Sequence, residues 1–456
     1  MENVKEKYIG PSGFYQRAAR LAVPSVLQQL LSSSMGIVDT MMVSRIGEVS
    51  AVGVASQLES MVATVCFGVM EGVGIFASQF FGAKDKHNLR RAFGLSLAIC
   101  GTLALIWTSV ISFFARPIAS FYVKDPAVIE SALRYMRIVR FSYLPLCIAF
   151  VFNYFFRCIH RTTVPMYIGS SAMFVNAGLN YLLIFGKFGC PQLGVEGAAW
   201  GTLIAQCFSV TCYTVYAVSK RVPFIGWPQE MFALDLKFVR PIMRRTYPTI
   251  INEAFFTFGS SMYLKAYAQL GTRITDAYHV GNTILRLFMS VCNGLSVATG
   301  MILGAELGKN DIDTAKKESR YFLGLAFMLA GALTVIIIAA AHPIVWLFSM
   351  EDPLTFATAV GVVRASAVRI AFRLVIVVIF SCLRAGGDSR FLMFLDAGVM
   401  WAVGIPLAFF LVNGLGLTNF TLIFLLVQTE QLVRMLIGLQ RFSSNRWAVN
   451  LTKLVA

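Results

Sequence analysis

Charged residues are scarce in this chain. Only 14% of its 456 residues are Asp, Glu, Lys or Arg, whereas 57% are hydrophobic. In a soluble domain roughly a quarter of the residues are charged. The composition therefore excludes an ordinary soluble protein of this length and indicates a chain that lies mostly inside a membrane.

Catalytic and metal-binding motifs are also missing. The nine cysteines are odd in number and never form a CxxC pair, which argues against a disulfide framework and against a zinc site. The sequence has no P-loop, HExxH or GxSxG motif, and no loop long enough to form a soluble catalytic domain. We therefore predict that the protein is not an enzyme, needs no cofactor, and has no ATPase of its own to drive a pump.

Long apolar runs are what the chain does contain. A helix crosses the hydrocarbon layer with about 20 apolar residues. We therefore predict an all-α polytopic membrane protein with twelve transmembrane helices. The twelve apolar segments are 18–45, 53–81, 90–115, 130–156, 164–186, 195–219, 242–270, 279–305, 320–347, 355–383, 391–412 and 418–440.

The positive charge is unevenly distributed along the chain. The formal net charge is +16, and most Lys and Arg residues outside the apolar segments fall in every second connection, starting with the N-terminal one. Cytoplasmic connections of membrane proteins are enriched in Lys and Arg. We therefore expect a plasma-membrane protein with both termini in the cytoplasm. This distribution accounts for the charge, so we predict no nucleic-acid partner.

The two halves of the sequence resemble each other. The segment FGVMEGVGIFASQFFGAKD (67–85) matches NGLSVATGMILGAELGKND (293–311), and Pro24 pairs with Pro248. Each matched segment ends in an aspartate that is suited to cap the helix that follows. Because each half contributes six helices, both repeats have the same orientation, as in transporters built from parallel repeats.

This repeat predicts the domain organisation. We expect two pseudo-symmetric six-helix bundles, an N-terminal lobe of residues 1–220 and a C-terminal lobe of residues 242–456. A cytoplasmic linker, 221–241, joins them. A two-lobed chain of this kind suits transport by alternating access. The alternative is a gene duplication that only built a symmetric scaffold.

Several of these segments carry a family resemblance. The stretches VDTMMVSRIG (38–47), NAGLNYLLIFGKFGCPQLGVEGAAWGT (176–202) and LRAGGDSR (383–390) resemble the multidrug and toxic compound extrusion (MATE) family. The resemblance implies twelve helices in two bundles and export driven by Na⁺ or H⁺ entry. It also implies substrates that are mostly bulky organic cations and other amphipathic drugs.

Asp39 is the most informative polar residue of the first apolar segment. Ionisable groups inside a membrane usually face a bundle interior or a watered cavity. Four residues share one helix face at helical spacing: Gln28, Ser32, Met35 and Asp39. In the fifth segment, Asn176 and Asn180 also share a face. Together these carboxylate and amide oxygens predict a site for Na⁺, or a proton site on Asp39.

The family resemblance supports the same interpretation. Family members use the residues that match Asp39, Asn176 and Asn180 as a cation site in the N-terminal lobe. Some branches have an acid where this chain has Asn180, so the site here carries less negative charge. The alternative is that Asp39 only neutralises an internal Lys or Arg.

Other embedded charges are candidates for the substrate cavity or for a second ion site. Glu253 is a candidate second acidic site or an ion-pair partner, and Glu71 either lines the cavity or forms a salt bridge. Lys265 is a candidate partner for these acids. Arg369 and Arg373 lie i and i+4 in the middle of the tenth segment, where arginine is costly without a partner. Such arginines favour an anionic or zwitterionic substrate, because guanidinium matches carboxylate and phosphate.

Taken together, the sequence predicts a secondary exporter. Its expected partners are an amphipathic small molecule, a coupling cation and membrane lipid, and we expect it to be a monomer. Two alternatives stay open on account of the internal arginines: a flippase of lipid-linked glycan precursors, and an exporter of organic anions.

Overall fold

The computed structural model describes residues 8–346 and 352–454, apart from the side chains at 272, 273, 275, 276, 279 and 280. Within these residues the chain is all-α, and twelve long helices follow one another without a strand. Their bounds are α1 Ser12–Ser44, α2 Val49–Gly82, α3 Lys86–Tyr122, α4 Pro126–Cys158, α5 Thr163–Phe185, α6 Val195–Ser219, α7 Leu236–Ala268, α8 Thr272–Gly308, α9 Ile312–Trp346, α10 Pro353–Ala385, α11 Ser389–Gly414 and α12 Phe420–Ser443.

The predicted fold class is confirmed, and one of the twelve helices is less apolar than a typical membrane span. Of the twelve helices in the described chain, eleven are long and apolar enough to cross a membrane. The exception is α7, because its first half contains Arg240, Arg244 and Arg245 and its middle contains Asn252 and Glu253. This helix corresponds to the apolar segment that the sequence predicted at 242–270.

The chain forms two compact units. One unit comprises Leu27–Met243, and the other comprises the described residues before Leu27 together with those from Arg244 onward. The boundary therefore passes through α1. The start of α1 belongs to the second unit because Arg17 forms an ion pair with Glu318 of α9, and the Phe14 ring packs 4.8 Å from the Phe322 ring.

The aspartates that end the two matched segments cap the helices that follow, as predicted. Asp85 accepts a hydrogen bond of 3.0 Å from the Asn88 amide at the start of α3. Asp311 accepts one of 3.1 Å from the Thr314 amide at the start of α9. The Thr314 N–H also holds the pKa of Asp311 below its usual value. The repeat thus extends to the local chemistry of its turns.

Ion pairs hold the connection between α6 and α7 against α3 of the first unit. Arg91 of α3 contacts Asp235 at 2.8 Å, and Arg90 contacts Glu230 at 2.7 Å. Asp235 also caps α7, since it accepts from the Phe238 amide at 2.8 Å. The Phe238 N–H and the Arg91 guanidinium hold the pKa of Asp235 below its usual value. This segment is therefore an ordered part of the first unit.

Helix α11 is wider than an ordinary α-helix along much of its length. Three π-helical stretches interrupt it: Phe394–Gly398, Met400–Gly404 and Phe410–Gly414. Inserted π-turns occur frequently at functional sites, because they redirect side chains relative to the regular helix. Asp396 lies in the first of these stretches.

Candidate functional site

The structure brings Asp39, Asn176 and Asn180 together. The Asn180 Nδ2 of α5 donates to Asp39 Oδ1 of α1 at 3.1 Å and to Asn176 Oδ1 at 3.3 Å. Asp39 and Asn176 are half-buried, whereas Asn180 is only 3% exposed. These three residues, the Asp39 cluster, lie within the first unit.

The oxygen of the Asn180 amide lies in an unusual place. Asn180 Oδ1 is buried and accepts no hydrogen bond. It faces Gly201 of α6, where an added Cβ would lie only 2.2 Å away. Unsatisfied buried acceptors are rare and costly. The packing of α6 against α5 therefore leaves Asn180 with an unpartnered oxygen, which faces away from Asp39 in this arrangement.

In its present arrangement the cluster offers part of the predicted donor set of one carboxylate and two amide oxygens. Asp39 supplies a carboxylate and Asn176 an amide oxygen. A half-turn of the Asn180 amide would exchange its Nδ2 for Oδ1 and add a third oxygen. Carboxylate and carbonyl oxygens suit hard cations. No group of three or more His, Cys, Asp or Glu side chains that could hold a metal occurs in the described part of the chain, so a cation here would depend on the amides.

Two residues beside this cluster were missed in the sequence. The Tyr135 hydroxyl of α4 lies beside Thr202, and it is close enough to both Asp39 and Glu59 to be affected by their charges. Glu59 lies in α2 and is half-buried. An acid inside the predicted 53–81 segment was the available signal, although nothing in the sequence indicates that α1, α2 and α4 meet there.

The other residues of the predicted polar face of α1 make contacts outside the Asp39 cluster or are at least partly exposed. Gln28 accepts a hydrogen bond of 3.2 Å from Arg157 and packs against Gly169 of α5. Ser32 is exposed and Met35 is half-buried. Glu71 is buried in α2, with 5% of its surface exposed.

The second unit contains a buried ionic network that the sequence analysis did not identify. Arg434 of α12 forms ion pairs with Glu430, one turn earlier, and with Asp396 of α11 at 2.8 Å. The Tyr263 hydroxyl donates to Glu430, and the Asn252 amide donates to Asp396 at 3.1 Å. The available signals were an isolated acid in the apolar 391–412 segment and an acid–arginine pair at i and i+4.

Arg369 and Arg373 line a cavity inside this second unit. The cavity has a volume of about 310 Å³ and is formed by side chains of α7, α8, α10, α11 and α12. Arg286 of α8 and the Glu430–Arg434 pair also line it. Glu253 is half-buried and Lys265 exposed on α7, and neither is among the lining residues.

Comparison with known proteins agrees with this architecture. A sequence model of the MatE family matches the chain twice, over residues 24–182 and 248–410. The two matches begin at the two prolines that the internal repeat pairs. They therefore fall on corresponding parts of the two halves.

Relatives of known sequence cover most of the chain. The chain is similar to the uncharacterised transporter YisQ of Bacillus subtilis, with 23% identity covering 94% of each chain. It is also similar to the probable multidrug resistance protein YoeA of the same species, with 24% identity covering 90% of this chain and 89% of YoeA.

A solved structure shows the same fold. A crystallised variant of the Vibrio cholerae MATE transporter VcmN superposes with a TM-score of 0.87. The identity is 14%, and the superposition covers 96% of this chain and 99% of that one. The family match, which spans most of both repeats, and the shared twelve-helix fold lead to one conclusion: the chain is a multi-pass membrane transporter that belongs to the MATE family.

Proposed function

We propose that the protein is a cation-coupled antiporter that exports amphipathic small molecules, with Asp39 as the coupling carboxylate. The observation that carries the proposal is the Asp39 cluster, in which one amide bridges a carboxylate on α1 and a second amide on α5. The probable multidrug resistance protein YoeA is among the relatives, and it supports drug-like substrates as the cargo.

The proposed coupling works through the acceptor capacity of Asp39. As a carboxylate, Asp39 accepts from Asn180 Nδ2. A proton or a Na⁺ on Asp39 removes that acceptor, so the Asn180 amide turns over and presents Oδ1 instead. Because Asn180 packs against Gly201 of α6, occupancy of the site changes the fit of α1, α5 and α6. Occupancy then favours one conformation through its differential affinity.

The remaining parts of the proposal concern the cell. We place the protein in the plasma membrane as a monomer surrounded by lipid, with both termini in the cytoplasm. The distribution of Lys and Arg along the chain supports the orientation. Export of substrate and entry of the cation then occupy successive half-cycles of alternating access.

Transport by purified protein in liposomes tests the site. We expect Asp39→Asn to abolish dye export driven by an imposed pH or Na⁺ gradient, because an amide neither takes up a proton in this range nor neutralises Na⁺. The matched control is Asp125→Asn. Asp125 caps α4 by accepting from the Ala127 amide at 2.9 Å, and Asn caps equally well, so this variant loses one charge with no effect on transport.

The same measurement identifies the coupling ion. A pH gradient alone, a Na⁺ gradient alone and both together are imposed on wild-type liposomes, with a cationic dye and an organic anion as test substrates. Gradient-driven export that persists in Asp39→Asn at the wild-type rate would refute the assignment of the coupling site.

A further inference from the structure

The cavity of the second unit carries an excess of positive charge. Four arginines line it, Arg286, Arg369, Arg373 and Arg434, against a single carboxylate, Glu430. Both oxygens of that carboxylate are engaged, one by Arg434 and the other by the Tyr263 hydroxyl. Glu430 therefore cannot neutralise the other three arginines.

Asp396 is near the cavity but is not one of its lining residues, and both of its carboxylate oxygens also have partners. Asp396 acts on Arg373 electrostatically, but its Oδ1 pairs with Arg434 at 2.8 Å and its Oδ2 accepts from Asn252 at 3.1 Å. Among the described side chains, no hydrogen bond or ion pair is made by Arg286, Arg369 or Arg373. Arg369 and Arg373 are half-buried and Arg286 is exposed, and these three guanidinium groups line one cavity without a bound acid.

This arrangement is electrostatically costly unless something compensates it. Arg369 and Arg373 are one turn apart on α10, where like charges repel each other. Arginine within a membrane-spanning bundle usually pairs with an acid, a carbonyl or a water-filled path. An anion between α8 and α10 would relieve this repulsion, and guanidinium groups bind carboxylate and phosphate oxygens in pairs of hydrogen bonds.

The rest of the lining indicates the body of the ligand. Tyr267, Tyr278, Phe256 and Met289 supply an aromatic and polarisable wall next to the arginines. At about 310 Å³ the cavity is at the lower end of the volumes known for small-molecule sites. Its volume and lining residues suit a compact aromatic or amphipathic anion with one carboxylate or phosphate group.

We propose that this cavity is an anion-binding site for amphipathic carboxylates or phosphates. The proposal rests on the proposed export function for its purpose, since it names the substrate class. It places the anionic cargo in the second unit and the coupling cation at the Asp39 cluster of the first unit.

Equilibrium binding to the purified full-length protein in detergent tests the site without transport. The probes are 2-naphthoate, the neutral 2-naphthamide and the cationic 2-naphthylmethylammonium, which share one ring system. We expect the carboxylate to bind at least roughly tenfold more tightly than the ammonium, with inorganic phosphate as a competitor. Tighter binding of the ammonium, or no binding of the naphthoate, would overturn the proposal.

Single substitutions assign the binding to the cavity. Arg369→Gln and Arg373→Gln should each weaken naphthoate binding by roughly tenfold to a hundredfold, because each removes a charged hydrogen-bond donor. Arg286→Gln, on a different helix, should act in the same direction. The control is Arg364→Gln on α10, since Arg364 is exposed and outside the cavity. Unchanged binding in all three cavity variants would contradict the site.

Two further arms separate the sources of failure. Arg369→Lys and Arg373→Lys keep the charge without the paired geometry, and they should retain the fold and bind with intermediate affinity. Asp39→Asn should bind naphthoate as the wild type does, so loss of coupling and loss of anion binding are distinguishable.

Competition in nanodiscs of phosphatidylcholine identifies the source of the anion. Stronger displacement of naphthoate by added phosphatidate than by inorganic phosphate would support a lipid headgroup as the anion. Equal displacement would support a soluble anion.

Discussion

At the scale of single residues, Asn180 connects the proposed ion site to the packing of the helices. It is nearly fully buried, and its amide has one end on Asp39 and Asn176 and the other against Gly201. The sequence predicted that Asn176 and Asn180 share a helix face, because this depends only on a spacing of four residues. It could not predict the contact with Gly201, which depends on how α5 and α6 pack.

Gly201→Ala tests this role directly. The new methyl group would lie 2.2 Å from Asn180 Oδ1, so the amide must move away from its present position. We expect coupled transport to fall strongly and the free energy of unfolding to drop by about 1–3 kcal/mol. The control is Gly178→Ala on α5, because nothing lies within 4 Å of its added methyl group. Equal transport by the two variants would show that the Asn180 position is unimportant.

At the scale of helices, α7, α11 and α12 are joined by the buried Arg434 network. Gly404 of α11 makes room for it, since a Cβ there would lie 1.9 Å from the Tyr263 hydroxyl and 2.2 Å from Glu430 Oε2. Apolar length located all three helices. The network itself was missed because Asp396, Glu430 and Arg434 become neighbours only after α11 and α12 pack, and because the π-turn that contains Asp396 has no simple sequence signal.

Arg434→Met tests how strongly this network holds the helices. Arg434 is 1% exposed, and its loss leaves Asp396 and Glu430 as buried acids without their cation. Breaking a buried ion pair from one side costs about 3–5 kcal/mol. We therefore expect a large fall in the thermal unfolding temperature in detergent, with partial recovery when Asp396→Asn and Glu430→Gln are added.

An exposed pair provides the comparison for that measurement. The side chain of Arg116 is 73% exposed in its pair with Glu130, and exposed pairs contribute at most about 1 kcal/mol. Arg116→Met should therefore unfold close to the wild-type temperature. If Arg434→Met were as stable as Arg116→Met, the network would have no structural importance.

At the scale of the whole molecule, the sequence predicted most of the architecture. Apolar length located twelve helices, the internal repeat predicted two matching six-helix halves, and the family match falls twice at corresponding positions. The boundary between the two compact units was harder to predict. The start of α1 joins the unit that begins at Arg244 through its contacts with α9, and such contacts leave no trace in hydropathy.

The orientation of the chain is a prediction that labelling can test. In a background without native cysteines, Phe188→Cys lies in the α5–α6 connection and Trp227→Cys in the α6–α7 connection. Both positions are well exposed, at 91% and 79%. With a cytoplasmic N-terminus, an impermeant maleimide should label position 188 in intact cells and position 227 only after permeabilisation. The reverse pattern would invert the topology.

The most direct test of the central proposal is the movement of the coupling ion itself. Substrate is added to liposomes that contain wild-type or Asp39→Asn protein, and the resulting flux of H⁺ and of Na⁺ is recorded with no gradient imposed beforehand. We predict that substrate drives a counter-flow of one of these ions through the wild type and none through the variant. Equal ion movement in the two proteins, or substrate transport by the wild type without any ion movement, would contradict a coupled exchange at Asp39.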